Sequence, residues 1–206
     1  MERTTPGAKL VGTSVVALVG ILLAAPFERA EAQAGDPLHF GLGYSANAPE
    51  SMAGGMAYVI FPRLGGIGLF VDAKFDIDSP SDNTAFVDGI TAEDIQNDPE
   101  HSQTRFLRRE ASWKSTNVGV IRPLNPALFL YAGAGYAWGT QYFQYDQQVG
   151  EVGRALWVVA PHEDENGVNF MVGGMLRMSS LLTSQFGFET KPSGVTVGMS
   201  LRLPPW

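Results

Sequence analysis

The feature that most constrains this chain is a period-two alternation of apolar and polar residues, clearest near the C-terminus. Val195, Val197, Met199, Leu201 and Leu203 interleave there with Thr196, Gly198, Ser200 and Arg202. Because successive side chains of a β-strand point to opposite faces, the pattern predicts a strand with one apolar face. Beyond the N-terminal segment, no stretch sustains the i, i+3, i+4, i+7 spacing of an amphipathic helix. The sequence therefore predicts an all-β fold.

Eight strands are predicted in all. They lie at about 38–45, 55–61, 67–76, 113–121, 128–138 (or as far as 145), 168–178, 185–189 and 195–203. Turns rich in Pro, Gly, Asn or Ser follow three of them, at 62–66, 123–126 and 179–180. The connections at 46–53, 77–110, 146–167 and 191–194 are mostly longer and more polar. If consecutive strands are antiparallel, the tight turns lie at one end and the variable loops at the other.

That layout is typical of an outer-membrane barrel, because strands cross hydrocarbon only when every backbone N–H and C=O is paired. We therefore predict an eight-stranded antiparallel up-and-down transmembrane β-barrel. A soluble barrel of the lipocalin type, with its apolar residues inside, fits the same alternation. Aromatic residues near strand ends on the apolar face favour the membrane version, since interfacial girdles consist of such residues. They are Tyr44, Phe75, Trp138 and Phe188.

The polar face of a membrane barrel points into its lumen. Charged residues of both signs lie on that face: Asp72, Lys74, Arg177, Glu189 and Arg202. In a lumen too narrow to be an open pore, we expect these residues to pair with one another. We expect the glycines of the same face to make room for them. These are Gly41, Gly43, Gly68, Gly133, Gly135, Gly173, Gly187 and Gly198.

The N-terminus has the composition of an export signal. Arg3 and Lys9 precede an apolar run at 11–25, and small residues follow as far as Ala34. An apolar run of about 15 residues is too short, at ~1.5 Å per residue, to span a ~30 Å hydrocarbon core. We predict a signal peptide at 1–34 and a barrel domain at 35–206, although a second A-x-A site at 30–32 leaves the cleavage position open by a few residues.

With these segments assigned, the chain resembles the small eight-stranded outer-membrane β-barrel proteins of Gram-negative bacteria, similar to the OmpA transmembrane domain and OmpX. The resemblance covers nearly all of the mature chain, and it implies an outer-membrane location. It also implies that the barrel assembly machinery recognises the last strand. Thr196, Gly198, Leu201 and Leu203 match the family's polar-x-Gly-x-x-hydrophobic-x-hydrophobic signal. The family usually ends that strand on an aromatic residue, whereas here Pro204-Pro205-Trp206 follows.

Several classes of function find no support in the sequence. A net charge of −7 without a basic patch argues against a nucleic-acid partner, and the lack of Cys excludes disulfides and thiolate metal sites. The G-x-G-x-x-A string at 41–46 lacks a following helix, because Pro49 comes too soon. The acidic segment starting at Asp76 departs from a calcium loop at Pro80 and Ser81. We predict a solvated acidic loop there, and neither a cofactor nor a metal.

The remaining question is whether the barrel is an enzyme. The three histidines, His39, His101 and His162, are not placed near a serine and an acid by any motif. We predict a non-enzymatic integral outer-membrane barrel with a structural or surface-interaction role carried by the loops at 77–110 and 146–167. Two alternatives stay open: a lipid-modifying outer-membrane enzyme, and a secreted, soluble lipocalin-like barrel that binds a small ligand.

The predicted partners are outer-membrane lipids and lipopolysaccharide. Arg105, Arg108 and Arg109 close the acidic loop, and they either meet lipopolysaccharide phosphates or pair with carboxylates of the loop itself. In the second long loop, the apolar patch at 155–159 is expected to extend a strand above the membrane or to contact a partner. The sequence names no specific surface partner.

Overall fold

The computed structural model describes residues 39–97, 104–149 and 152–203. The predicted signal peptide, His101 and the Pro204-Pro205-Trp206 end lie outside these residues. This part of the chain contains ten β-strands and one short α-helix. In chain order they are β1 (His39–Ala48), β2 (Met52–Phe61), β3 (Ile67–Asp76), β4 (Phe86–Thr91), α1 (Ala92–Asn97), β5 (Arg105–Pro123), β6 (Leu128–Val149), β7 (Val152–Val159), β8 (Glu165–Arg177), β9 (Leu182–Thr190) and β10 (Ser193–Leu203).

Eight of these strands form a closed antiparallel barrel. Strands β1, β2, β3, β5 and β6 follow one another around the wall, and β6 pairs with β8, β8 with β9, and β9 with β10. The ring closes where β10 pairs with β1 over nine positions, from Phe40–Leu203 to Ala48–Val195. Closure leaves no unpaired edge in the wall. The predicted eight-stranded antiparallel barrel is confirmed, and with it the architecture of the small outer-membrane barrels that the sequence resembles.

The outer wall of the barrel is apolar, as the alternation predicts. Large apolar residues with 40% to 58% of their surface exposed lie on every barrel strand except β2: Leu42, Tyr44, Leu69, Val71, Phe75, Val118, Tyr136, Trp138, Val168, Phe186, Val195, Val197, Met199 and Leu201. Such a broad exposed apolar surface is unfavourable in water. A lipocalin-type barrel has the opposite arrangement, with polar residues outside.

One end of the barrel carries the three predicted tight turns. In the turn between β2 and β3, Gly65 and Gly66 have φ angles of 71° and 79°, which favour glycine. Between β5 and β6, the Asn125 side chain accepts hydrogen bonds from the backbone N–H groups of Ala127 and Leu128. We refer to this end as the turn end and to the other as the loop end.

Two of the four connections at the loop end are shorter than the ranges predicted for them, 46–53 and 191–194. Strand β1 runs to Ala48 and β2 begins at Met52, so only residues 49–51 link them. The prediction of a loop at 46–53 was wrong there because Asn47 pairs with Met52 and continues the ladder. Residues 191–192 alone link β9 to β10.

The long connections at the loop end form an additional sheet. Strands β5 and β6 have 19 and 22 residues and continue together beyond the barrel wall. Strand β7 pairs antiparallel with the upper part of β6, and β4 pairs in parallel with β7. The prediction of two long loops at 77–110 and 146–167 was therefore wrong for most of their described residues. We call this sheet, with α1, the extension. In the described residues, no helix is long and apolar enough to cross a membrane.

Candidate functional site

Three charged side chains meet inside the barrel. The Lys74 ammonium donates hydrogen bonds to the carboxylates of Asp72 and Glu189, and all three side chains are fully buried. Asp72 and Lys74 share the inner face of β3, two positions apart, whereas Glu189 reaches them from β9. One cation between two carboxylates leaves a net charge of −1 in this cluster, which we call the lumen triad.

Neutral side chains satisfy the remaining carboxylate oxygens of the lumen triad. The Ser45 hydroxyl donates to Asp72 at 2.7 Å, and the Thr196 hydroxyl donates to Glu189 at 2.9 Å. The Asn169 amide donates to the second Glu189 oxygen at 3.0 Å and to Asn117 at 3.1 Å. Donors on three further strands therefore stabilise the excess negative charge, as a buried carboxylate requires.

The other two predicted lumen charges lie elsewhere. Arg177 is the last residue of β8, at the turn end, where its guanidinium carbon lies 5.6 Å from the centre of the Phe129 ring. Arg202 is next to the end of β10 and pairs with Gly41 in the backbone ladder. The structure thus brings together Asp72, Lys74 and Glu189 from the predicted set of five and separates Arg177 and Arg202 from them.

The lumen between the triad and the turn end is apolar, contrary to the expectation of a polar inner face. Nine buried residues fill it: Met56, Tyr58, Ile60, Phe70, Ile121, Phe129, Tyr131, Met171 and Met175. Towards the loop end, Met52, Trp113 and Ala137 form a second buried cluster. The triad lies between these two apolar layers, so the barrel has a packed interior.

Four of the eight predicted inward glycines make room for aromatic side chains, whereas we expected them to accommodate charged side chains; they are Gly41, Gly133, Gly173 and Gly187. A Cβ atom at Gly187 or Gly173 would lie 2.2 or 2.5 Å from the Tyr131 hydroxyl oxygen. Tyr131 is fully buried, its ring meets Phe70 edge-on at 5.5 Å, and its hydroxyl donates to the Phe186 carbonyl at 3.2 Å. Bulky aromatic side chains fit inside so small a barrel only where the facing wall has no side chain.

On one face of the extension, α1 packs against the sheet. Ala92 and Ile95 contact Tyr145, Val158 and Ala160 in a buried cluster. Thr91 caps the helix, because its hydroxyl accepts from the Asp94 N–H at 3.2 Å while Asp94 accepts from the Thr91 N–H and hydroxyl at 2.8 Å. The two hydrogen bonds that Asp94 accepts lower the pKa of its carboxyl. The described part of the acidic loop therefore contains a local capping motif.

The predicted apolar patch contributes to both faces of the extension, because Val158 contacts the α1 side and Trp157, its neighbour in β7, points to the opposite side. Ala155 to Val159 form the C-terminal part of β7, which pairs with β6. The patch therefore extends the sheet, which is one of the two roles expected for it. Trp157 is 2% exposed, and the Arg108 guanidinium lies 4.9 Å from the centre of its ring. Phe86 of β4 meets Tyr142 of β6 edge-on at 5.9 Å.

Of the three arginines, Arg108 has partners within the extension. It donates to the Gln144 side chain at 3.0 Å and lies 3.8 Å from the Glu110 carboxylate. Arg105 and Arg109 are exposed on the same strand. Arg108 therefore follows the self-pairing alternative, whereas Arg105 and Arg109 have positions from which they can reach an outside anion.

Carboxylates are concentrated at the loop end of the barrel. Partial burial raises the pKa of Glu50, and the nearby charges of Asp76, Glu110 and Glu165 raise it further.

Within residues 39–97, 104–149 and 152–203, no group of three or more His, Asp or Glu side chains is arranged to hold a metal ion.

The histidines and the predicted assembly signal have separate positions. His39 begins β1 at the turn end, whereas His162 lies in the short 3-10 turn Pro161–Glu163 at the loop end. These two histidines are not brought together. In β10, Thr196 and Gly198 face the lumen, Leu201 is 58% exposed on the outer wall, and Leu203 is the final residue of the strand.

Several solved structures of outer-membrane barrel proteins have a similar fold. Ail, the attachment invasion locus protein of Yersinia pestis, is 10% identical, with 82% of this chain and 96% of Ail covered and a TM-score of 0.41. The N-terminal barrel domain of Pseudomonas aeruginosa OprF is 8% identical, with coverage of 81% and 96% and a TM-score of 0.38. A major outer membrane protein from Thermus thermophilus is 10% identical, with coverage of 82% and 100% and a TM-score of 0.42.

The sequence matches no protein-family model and no curated protein. At TM-scores below 0.5, the structural likenesses carry no argument about function, and the fold rests on the strand pairings themselves.

Sequence reasoning missed two features of the candidate site. The capping motif Thr91-Ala92-Glu93-Asp94 directly before Ile95 is a recognisable signal for a helix start. The neutral donors around the triad, such as Asn169 and Thr196, carry no sequence signal beyond their place on the inner face of a strand.

Proposed function

We propose that this protein is a non-enzymatic integral outer-membrane barrel whose extension stands on the outer side of the membrane and carries a surface-interaction role. The observation that supports the membrane location best is the wide apolar outer wall around a closed barrel. Closure pairs every strand edge of the barrel wall, which hydrocarbon demands, and transfer of the apolar outer wall from water to lipid lowers the free energy. The buried lumen triad fits this interpretation, since charge is confined to the interior.

The loop-end position of the extension supports its proposed role. Residues available to an external partner there include Ile90, Phe106 and Leu107, each more than one third exposed, together with the exposed Arg105 and Arg109. An exposed surface that combines arginine and aromatic residues is typical of binding sites. We propose lipopolysaccharide phosphates as one partner of Arg105 and Arg109.

Two further steps of biogenesis belong to the same proposal. The segment 1–34 directs export, and the barrel assembly machinery recognises Thr196, Gly198, Leu201 and Leu203 on β10. The exposed Leu201 lies on the surface that would meet lipid or an insertion factor.

The first experiment tests location and closure. The full chain is expressed in a Gram-negative host, the membranes are separated, and the outer-membrane fraction is run on a denaturing gel with and without boiling. We expect recovery in the outer membrane and a mobility shift on boiling. Recovery in the soluble periplasm without a shift would contradict the proposal.

A second experiment tests which end faces outward, and it uses the fact that the chain has no cysteine. Asp88→Cys places a thiol at an exposed position of the extension, and Ser180→Cys places one at an exposed position of the turn end. With a membrane-impermeant maleimide on intact cells, we expect labelling of Asp88→Cys alone. Labelling of Ser180→Cys instead would show that the extension faces the periplasm and would end the proposed surface role.

A further inference from the structure

A cavity of about 590 Å³ lies on the outer wall, where β3, β5 and β6 extend towards the loop end beyond the apolar part of that wall. It is open to the outside of the barrel, because its wall residues belong to the outward face of these strands. Phe75, Lys114, Trp138 and Thr140 form part of the wall, and the segment from Asp76 to Asp82 covers it from the loop end. Its volume is within the range of small-molecule sites in proteins. We call it the outer-wall cavity.

Lys114 has an unusual position in this cavity. It pairs in the backbone ladder with Phe75 on one side and with Trp138 on the other, so the three residues form a row across three neighbouring strands. Phe75 and Trp138 are 57% and 46% exposed on the outer wall. An ammonium between two outward aromatic residues sits at the height where lipid headgroups meet a membrane barrel. At this height, an anionic lipid headgroup is the natural partner of the Lys114 ammonium.

The rest of the lining excludes a bare phosphate as the best occupant. Asp82 contributes a carboxylate, which repels an anion but accepts hydrogen bonds from hydroxyl groups. Ser112 and Thr140 add hydroxyls on the strands, and Ser79 and Ser81 add two more in the cover, 2.8 Å apart. A carboxylate, hydroxyls and aromatic rings around a single cation suit a ligand that carries both phosphate and hydroxyl groups.

We propose that the outer-wall cavity binds the headgroup of a phosphorylated glycolipid of the surrounding leaflet. Lys114 binds the phosphate, the Asp82 carboxylate accepts a hydrogen bond from a hydroxyl of the sugar, and the faces of Phe75 and Trp138 contact its carbon skeleton. This inference rests on the proposed membrane location, which places the cavity at headgroup level, and it assigns the lipid contact to a site separate from Arg105 and Arg109.

The test uses the mature chain folded in detergent micelles and native mass spectrometry. Four probes are titrated: bis-phosphorylated lipid A, the same lipid without its phosphates, phosphatidylglycerol and inorganic phosphate. We expect lipid A to bind most tightly. Lys114→Gln should weaken that binding about tenfold, since one charge-assisted contact is lost. Arg63→Gln is the matched control, because it removes one exposed positive charge at the turn end.

A second variant keeps the inference testable if Lys114→Gln does not fold. Thr140→Trp adds a ring to the cavity wall without removing a charge, and it too should weaken lipid A binding while Arg63→Gln does not. Equal binding by the wild type and a folded cavity variant would overturn the proposal. So would phosphatidylglycerol or inorganic phosphate binding as tightly as lipid A, because the sugar would then make no contribution.

The boiling-dependent gel shift separates the two possible failures. If the wild type shows no shift and does not enter bilayers, the proposed function itself is wrong. If it shows the shift but does not prefer lipid A, only the assignment of the outer-wall cavity is wrong.

Discussion

Lys74 and Glu189 form a fully buried ion pair although they are 115 positions apart in the sequence. They are also not neighbours in the barrel wall, because β2, β1 and β10 separate β3 from β9 along one path around it. The contact therefore crosses the lumen and joins two sides of the barrel. Asp72 accepts from the same ammonium, so the cation serves two carboxylates.

Removal of the cation should be the most damaging change in the lumen triad. Lys74→Met leaves two buried carboxylates without a positive partner, and we expect a loss of about 3–5 kcal/mol in the free energy of unfolding. Asp72→Asn leaves the neutral Lys74–Glu189 pair in place and should cost less. Urea titrations of the two variants in lipid vesicles measure this difference. A larger loss for Asp72→Asn would contradict the assignment of Lys74 as the shared cation.

Gly187→Ala should destabilise the barrel, because the added methyl group would meet the Tyr131 hydroxyl oxygen at 2.2 Å. Tyr131 is fully buried, so it has little room to move. Overpacking of this kind typically costs about 1–3 kcal/mol. Gly167→Ala is the control, since its methyl group would meet only the flexible end of Lys191, at 3.3 Å. The same urea titration applies, and equal effects of the two variants would show that the glycine at 187 is not required by Tyr131.

An arginine on the outer wall should be costly if lipid surrounds it. Val197 is 52% exposed near the middle of β10. We expect Val197→Arg to cost roughly 2–4 kcal/mol in vesicles, because the charge would lie in the hydrocarbon. Ser180→Arg adds the same charge at the exposed turn end and should cost little. The free energy of unfolding of both variants is measured in vesicles and in detergent. A loss that is equally small for both variants in vesicles would argue against a lipid-facing Val197.

Glu50 should make the stability of the barrel depend on pH. Burial and neighbouring carboxylates raise its pKa above the usual value of 4.5, so the folded state holds the proton more tightly than the unfolded chain. The folded state is therefore penalised as pH rises above that value. Glu50→Gln should raise the urea midpoint at pH 7, and the gain should vanish as the pH falls below the usual glutamate pKa. Glu163→Gln, which removes the same charge at an exposed position, is the control.

The extension should unfold without the barrel. Trp157→Ala removes a ring that is 2% exposed and contacts Arg108. We expect faster tryptic cleavage at Arg105 and Arg109, while the boiling-dependent gel shift of the barrel persists. Loss of both the extension and the gel shift would show that the two parts fold as one unit.

The strands that alternate cleanly were the ones that the sequence predicted well. In β3 and β10 the predicted outward residues, such as Leu69, Val71 and Val197, are exposed on the outer wall. The sequence allowed β6 to continue to Tyr145 and indicated strand extension as one expectation for 155–159. Strand β4, helix α1 and the first residues of β5 were missed, because residues 86–97 and the segment from Arg105 to Glu110 lack such alternation. In β4 and in this part of β5 most residues are exposed or half-buried on both faces, so no period-two signal remains.

By itself, the sequence determined that this chain forms an eight-stranded antiparallel barrel, which residues of each strand share a face, and where the tight turns lie. A period of two assigns each residue to a face, and turn residues mark where strands end. Only the tertiary structure decided which inward charges meet, because the register between strands sets the height of each side chain along the barrel axis. Asp72, Lys74 and Glu189 lie at one height, whereas Arg177 and Arg202 lie at the turn end. A pattern read along one strand contains no information about that height.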